Sequence, residues 1–193
     1  MLNTLIAFDV RLFSLINGAH APFFDVFFGG ATWLGNGWVT FPLFLLVVLL
    51  NASRRKVAGV LLAGAVAFAS AGVLLQAVKK SVDRPRPVKY FSLQKSETPV
   101  HVVGPKLGAR SFPSGHAQTA FTAAALLAFI YGGTFWMSFL FAFLVAYSRV
   151  YVGAHFPLDT VVGMVLGVAA AWGSVAGFRK MFWERNPEES VSS

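Results

Sequence analysis

Long uncharged runs, rather than an alternation of apolar and polar positions, dominate this chain. Val57–Val78 carries no charge over about 22 positions and Ala117–Ser148 none over about 32, the latter enough for two short bilayer crossings. Thr160–Phe178 is another run of span length. So is Ala31–Leu50, with Trp33 and Trp38 near its start, where an interfacial aromatic belt would lie. Gly132-Gly133 divides the longest run with a tight turn. The pattern predicts spans at about residues 31–50, 57–78, 114–131, 134–147 and 158–178. Residues 2–18 place apolar side chains at helical spacing, but Asp9 and Arg11 interrupt them. This predicts an amphipathic helix lying at the interface, with a weakly hydrophobic first span as the alternative. A turn over Gly18–Pro22 and an aromatic segment, Phe23–Phe28 with Asp25 inside it, complete an interfacial segment over residues 1–30. The expected fold is an all-α polytopic membrane protein, a bundle of about five to six transmembrane helices with an N-terminal interfacial helix, in one domain over residues 1–193. An outer-membrane barrel would instead show alternating segments of about ten residues.

Composition supports the class. Hydrophobic residues make up 56% and charged residues 12%, with a mean hydropathy of +0.64, against about a quarter charged in soluble domains. The formal charge of +8 could suggest nucleic acid, but the basic residues cluster in membrane-flanking loops. Topology and a phosphate-bearing substrate account for them better, so no nucleic-acid partner is expected. There are no cysteines, which excludes disulfides, thiolate chemistry and a Cys-based metal site. The N-terminus has neither a basic n-region nor a small-residue cleavage site, so no cleaved signal peptide is expected. Small residues in the second run (Gly59, Ala63, Gly64, Ala67, Ala71) would let helices approach closely.

Charge also suggests an orientation. The Arg54–Lys56 turn and the basic tail (Arg179, Lys180, Arg185, polar and disordered from residue 186) are separated by four expected spans. Both would then face the cytoplasm, and the long polar segment Lys79–Arg110 and the junction Ser148–Asp159 would share the opposite face. That segment is itself basic, against the positive-inside trend, and bound phosphate would account for several of its charges.

Three clusters fall on that face. In Lys79-Lys80-Ser81-Val82-Asp83-Arg84-Pro85-Arg86-Pro87 the prolines forbid a regular helix through the second half, which predicts a helix end at Lys79 and a rigid extended segment presenting Arg86. Alone, these basic residues fit interfacial anchors. In Phe112-Pro113-Ser114-Gly115-His116, Ser114 suits an N-cap, and the free N–H groups of the helix start, approachable at Gly115, suit an anion within reach of His116. An ordinary cap with an interfacial histidine fits equally. In Ser148–Asp159, Arg149 can fork onto a phosphate, and Pro157 suits the first turn of a new helix just after His155. Asp159, one helical turn beyond His155, can orient that ring, or can merely favour a positive helix N-terminus. His20 has no evident partner and reads as interfacial.

Together the clusters read Lys-x6-Arg-Pro, Pro-Ser-Gly-His and Ser-Arg-x5-His-x3-Asp, a pattern that resembles the signature of the type 2 phosphatidic acid phosphatase family. Every signature position is present over residues 79–159. The resemblance implies a metal-independent membrane lipid phosphatase, with no cofactor, working through a phosphohistidine. His155 would be the nucleophile, Asp159 its orienting partner and His116 the proton donor to the leaving oxygen. Lys79, Arg86 and Arg149 would hold the phosphoryl oxygens, with Ser114 and the Gly115 N–H completing the cradle. Undecaprenyl pyrophosphate, phosphatidylglycerol phosphate and lipid A are the substrate types that the bacterial members suggest. A lipid phosphotransferase would use the same residues, and a non-catalytic lipid-binding or transport protein would be expected to lack one of the histidines. Haloperoxidase chemistry, also found in the superfamily, suits this chain less because its spans fit a lipid substrate.

Overall fold

The computed structural model describes residues 2–96 and 99–182, and the regular structure among them is helical. The order is α1 (Leu2–Gly18), α2 (Pro22–Ala31), a 3-10 turn (Thr32–Gly35), α3 (Gly37–Asn51), α4 (Arg54–Ser81), α5 (Pro87–Leu93), α6 (Gly115–Tyr131), a second 3-10 turn (Gly133–Met137), α7 (Ser138–Tyr151) and α8 (Pro157–Phe182). Local chemistry sets the boundaries. α2, α5 and α8 each open on a proline, whose fixed φ suits the first helical position. α6 opens after Ser114, whose side chain accepts from the Ala117 N–H, and closes at Gly132 with φ +63°.

α6 is the axis of the bundle, with α4, α7 and α8 packed around it. Its alanines leave room for neighbours on every side, and Ala117, Ala120, Ala124, Ala125 and Ala128 are all buried. α8 crosses it backbone against backbone. A Cβ on Gly167 would lie 2.5 Å from the Gln118 carbonyl oxygen, and one on Gly163 would run into the Ser114 carbonyl. Two glycines at this four-residue spacing are what close helix approach in a membrane requires. On α4, Ala63, Ala67 and Ala71 are fully buried, and the Ser174 hydroxyl of α8 donates to the Ala63 carbonyl at 2.6 Å.

The expected five to six spans do not stand. Among the described residues, three helical stretches are long and apolar enough to cross a membrane: Lys56–Ser81, Gly133–Tyr151 and Pro157–Phe178. A fourth exists only if Pro22–Gly35 and Gly37–Asn51, bent by 66°, count as one broken span. Hydropathy overcounted because an uncharged run need not be one straight helix. Within residues 31–50 the chain turns extended at Asn36 (φ −77°, ψ 128°), whose side chain accepts from the Trp38 N–H and starts a new helix. That leaves α3 at 15 residues. α6 has 17, about 25 Å at 1.5 Å per residue, less than the ~30 Å hydrocarbon core.

Two further expectations meet the structure. The N-terminal residues do form a helix, and one stripe of α1 (Asp9, Phe13, Asn17) is buried against the rest of the protein. The expected disordered tail, residues 186–193, lies outside the described residues. The extended stretch that follows α4 and the N-terminal end of α8 meet through an ion pair between Arg84 and Asp159, while Ser174 and Ala63 join the other halves of α8 and α4. The polar segments therefore converge at one end of the bundle.

Candidate active site

The end of α4, the extended residues 82–86, the start of α6, the end of α7 and the start of α8 come together here. Prolines keep residues 82–86 out of a helix, as expected, and this strand-like stretch is pinned by two backbone hydrogen bonds: Arg86 N–H to Gly108 (3.1 Å) and Ser111 N–H to Arg84 (2.8 Å). The Ser114 N–H donates to the Asp159 carbonyl at 2.8 Å, locking the first turns of α6 and α8 together. At the end of α7 the N–H groups of Ala154 and His155 both return to the Arg149 carbonyl, at 3.1 Å each. Gly153 makes this turn with φ +76°, and a Cβ there would lie 2.5 Å from the His101 carbonyl, so only glycine fits.

His155 is held by that turn, 2% exposed. Its Nε2 lies 3.2 Å from Arg86 Nη1 and its Nδ1 lies 3.5 Å from Asp159 Oδ2. Arginine can only donate, so Nε2 is the unprotonated nitrogen and Nδ1 carries the hydrogen, directed at the carboxylate. The 3.5 Å separation is within ion-pair reach but too long for a well-formed hydrogen bond, and Nδ1 has no hydrogen-bond partner in the protein. Burial pushes the His155 pKa down to about 4; the Arg86 and Arg149 cations add to this and Asp159 opposes it. The ring is therefore neutral at pH 7.

Asp159 is fully buried and its carboxylate accepts three hydrogen bonds. Its Oδ1 accepts from Arg84 Nη1 (2.7 Å), and its Oδ2 accepts from the Phe156 N–H (2.9 Å) and the Ser111 hydroxyl. Arg86 spans the site, donating from Nε to the Ala109 carbonyl (2.9 Å) and from Nη1 to the Ala154 carbonyl (3.0 Å). Lys79, in the last turn of α4, rests its Nζ on the Arg110 carbonyl at 3.0 Å. Arg149 donates from Nη1 to the Thr32 hydroxyl at 2.6 Å, while its buried Nε has no partner in the protein. His116 and Arg149 line a cavity of about 370 Å³ together with Thr32, Trp33, Gly153 and Ala154. Ser114 is buried, with its hydroxyl used as the N-cap, and Gly115 begins α6 against Leu75.

The eight residues singled out from the sequence thus gather at one place. Lys79, Arg86, Arg149, His116, His155 and Asp159 lie within electrostatic range of one another, with His116 and Arg149 on the cavity wall, and three cations gathered beside two histidines suit a phosphoryl group. Among the described residues no three His, Cys, Asp or Glu side chains converge as a metal site would need.

Sequence reasoning missed several participants. Arg84 passed as one more basic residue beside Arg86, yet it bridges Asp159 and Asp9, the latter at 2.6 Å. Asp9 read as an interruption of α1; it is buried and also accepts from the Leu158 N–H at 2.8 Å. The signal available was an acid in an otherwise apolar helix, which needs a partner. Thr32 and Ser111 gave no signal. His20 does have a partner, stacking on the His101 ring at 3.9 Å, and His101 pairs with Asp25 at 2.8 Å.

Comparison with known proteins places the chain. The model of the PAP2 superfamily matches residues 57–183. The undecaprenyl-diphosphatase of Sulfolobus acidocaldarius is 32% identical, over 84% of this chain and 74% of its own. The lipid A 4'-phosphatase of Bacteroides thetaiotaomicron is 33% identical, over 89% and 77%. Among solved structures, Aquifex aeolicus LpxE superposes with a TM-score of 0.72 at 36% identity, covering 86% of this chain and 93% of that one. The phosphatidylglycerolphosphate phosphatase of Bacillus subtilis shares the fold, with a TM-score of 0.74 at 21% identity over 95% and 90%.

Proposed function

This chain belongs to the PAP2 superfamily, and from that premise we propose that it is a membrane lipid phosphatase that hydrolyses a lipid phosphate or pyrophosphate through a phosphohistidine. The observation that carries this reading is His155, buried and neutral, with Nδ1 turned to Asp159 and Nε2 turned to Arg86. In the first step Nε2 forms a bond to phosphorus as the bond to the leaving oxygen breaks, and His116 gives that oxygen its proton. In the second, water loses a proton to His116 and displaces the histidine. Asp159 stabilises the ring as it takes on positive charge. Lys79, Arg86 and Arg149 neutralise the phosphoryl oxygens, and Ser114 and the Gly115 N–H complete the cradle. Side-chain cations supply the charge, so the reaction proceeds without a metal ion.

The names of the relatives support undecaprenyl pyrophosphate and lipid A as substrate types, with phosphatidylglycerol phosphate as a third candidate. The basic start of α4 and the C-terminal end of α8 lie at the end of the bundle opposite the site, which supports a site on the outer face of the cytoplasmic membrane. A phosphate-release screen over purified lipid phosphates in detergent tests the reading. Release should occur equally with and without EDTA and should vanish in His155→Ala; full activity in that variant would overturn it. Labelled phosphate transferred to lipid rather than to water would indicate a phosphotransferase instead.

A further inference from the structure

The charges that touch His155 do not end at Asp159. Arg84 lies over the Phe156 ring, its Cζ 4.1 Å from the centroid, and its fork is shared between two buried carboxylates: Nη1 on Asp159 (2.7 Å) and Nη2 on Asp9 (2.6 Å). Asp9 in turn accepts from the Leu158 N–H in the first turn of α8, the turn that carries Asp159. The backbone carbonyl of Arg84 is fixed by the Ser111 N–H, and the Ser111 hydroxyl in turn donates to Asp159. We propose that Asp9 and Arg84 are positioning residues for the reaction, a carboxylate and a guanidinium that set where Asp159 sits and how much of its charge reaches His155. α1 is then a working part of the site.

The physical argument turns on competition. Asp159 has one negative charge, with Arg84 on Oδ1 and the Nδ1 of His155 facing Oδ2. The more fully Arg84 commits to Asp159, the less that carboxylate favours the imidazolium. Asp9 draws on the same guanidinium, so it returns part of the Asp159 charge to His155. Arginine suits this position because its planar fork can hold two carboxylates at once, which a lysine point charge cannot. The other charged or titratable groups facing His155 are Arg86 at Nε2, with Arg149 and His116 within electrostatic range.

The inference rests on the reading of His155 as nucleophile, and the test separates the two. Dioctanoyl phosphatidate hydrolysis is measured in detergent for Arg84→Gln, Asp9→Asn, the double variant and His155→Ala. Arg84→Gln should lower kcat about 10–100-fold with a much smaller change in KM, the scale of a misplaced reacting group. Its acid limb should move to higher pH, because the uncompensated Asp159 now favours the imidazolium. Asp9→Asn should move that limb the opposite way, because Arg84 is then committed to Asp159 alone. Arg84→Gln also strands Asp9 as a buried anion, so its melting temperature should fall and should recover in the double variant, while kcat stays low. If kcat recovers along with stability, Arg84 is only a counter-ion for Asp9 and the proposal fails. It fails equally if Arg84→Gln leaves kcat and the acid limb unchanged while His155→Ala is inactive. An active His155→Ala overturns the proposed mechanism and this inference together.

Discussion

The two ends of the same bundle are held together by opposite means. At the site end, α1, the extended stretch after α4, the loop before α6 and the start of α8 meet through Asp9, Arg84, Ser111 and Asp159, all polar and largely removed from water. Farther along the bundle, Val60 and Ala67 of α4, Ala125 and Leu126 of α6 and Ala171 of α8 form a buried apolar cluster, with the Ser174–Ala63 hydrogen bond as a local polar tie. Small residues packed backbone to backbone tolerate little change in volume but make few demands on direction. Buried charges demand both partner and direction, and in return they fix where the His155 ring sits, between Asp159 and Arg86. The lesson is that this protein is rigid where it is apolar and specified where it is charged.

That contrast can be broken in order of expected effect. Under the proposed mechanism His155→Ala should reduce phosphate release, measured in detergent, by at least about 10³-fold, the scale of losing a covalent nucleophile. Gly167→Leu should act on the other side of the contrast. Its Cβ alone meets the Gln118 carbonyl at 2.5 Å, so α6 and α8 must separate, at a cost of about 1–3 kcal/mol or more, seen as a lower melting temperature in detergent.

The pH response should sharpen the comparison. His155 has its pKa lowered from 6.5 to about 4, so between those values the unfolded chain binds the extra proton and the folded protein does not. Its contribution to stability therefore rises with pH across that window and is lost on acidification. Melting temperature measured from pH 4 to 7 should show a rise that is smaller in His155→Gln. Under the proposed mechanism activity should follow a bell-shaped profile whose acid limb, set by His155, lies below pH 6.5. Burial and the Arg149 cation push free His116 down to about 3, so the alkaline limb reports a His116 whose proton is held by the bound phosphate. The smallest effect is expected of Ser174→Ala, which removes one hydrogen bond at the apolar end. About 0.5–1.5 kcal/mol of stability should be lost with kcat unchanged, measured by melting and phosphate release together.

Much of this protein was determined by its sequence alone, wherever the cause is local. The cap at Ser114, the proline that opens α8, the extended stretch from Val82 to Arg86 and the alanines that let α4 pack are decided by residues within a turn or two of one another. The order of Lys79, Arg86, Ser114, His116, Arg149, His155 and Asp159 was likewise readable before any fold. Span count was not, because hydropathy sums side chains and is blind to the break that Asn36 makes. The surroundings of His155 were not either. Arg84 stands 75 residues from Asp9 and 75 from Asp159, and no local rule pairs groups so far apart. Only the tertiary structure, by burying both carboxylates at one end of the bundle against a half-buried Arg84, where an unpaired charge is intolerable, decides that they meet.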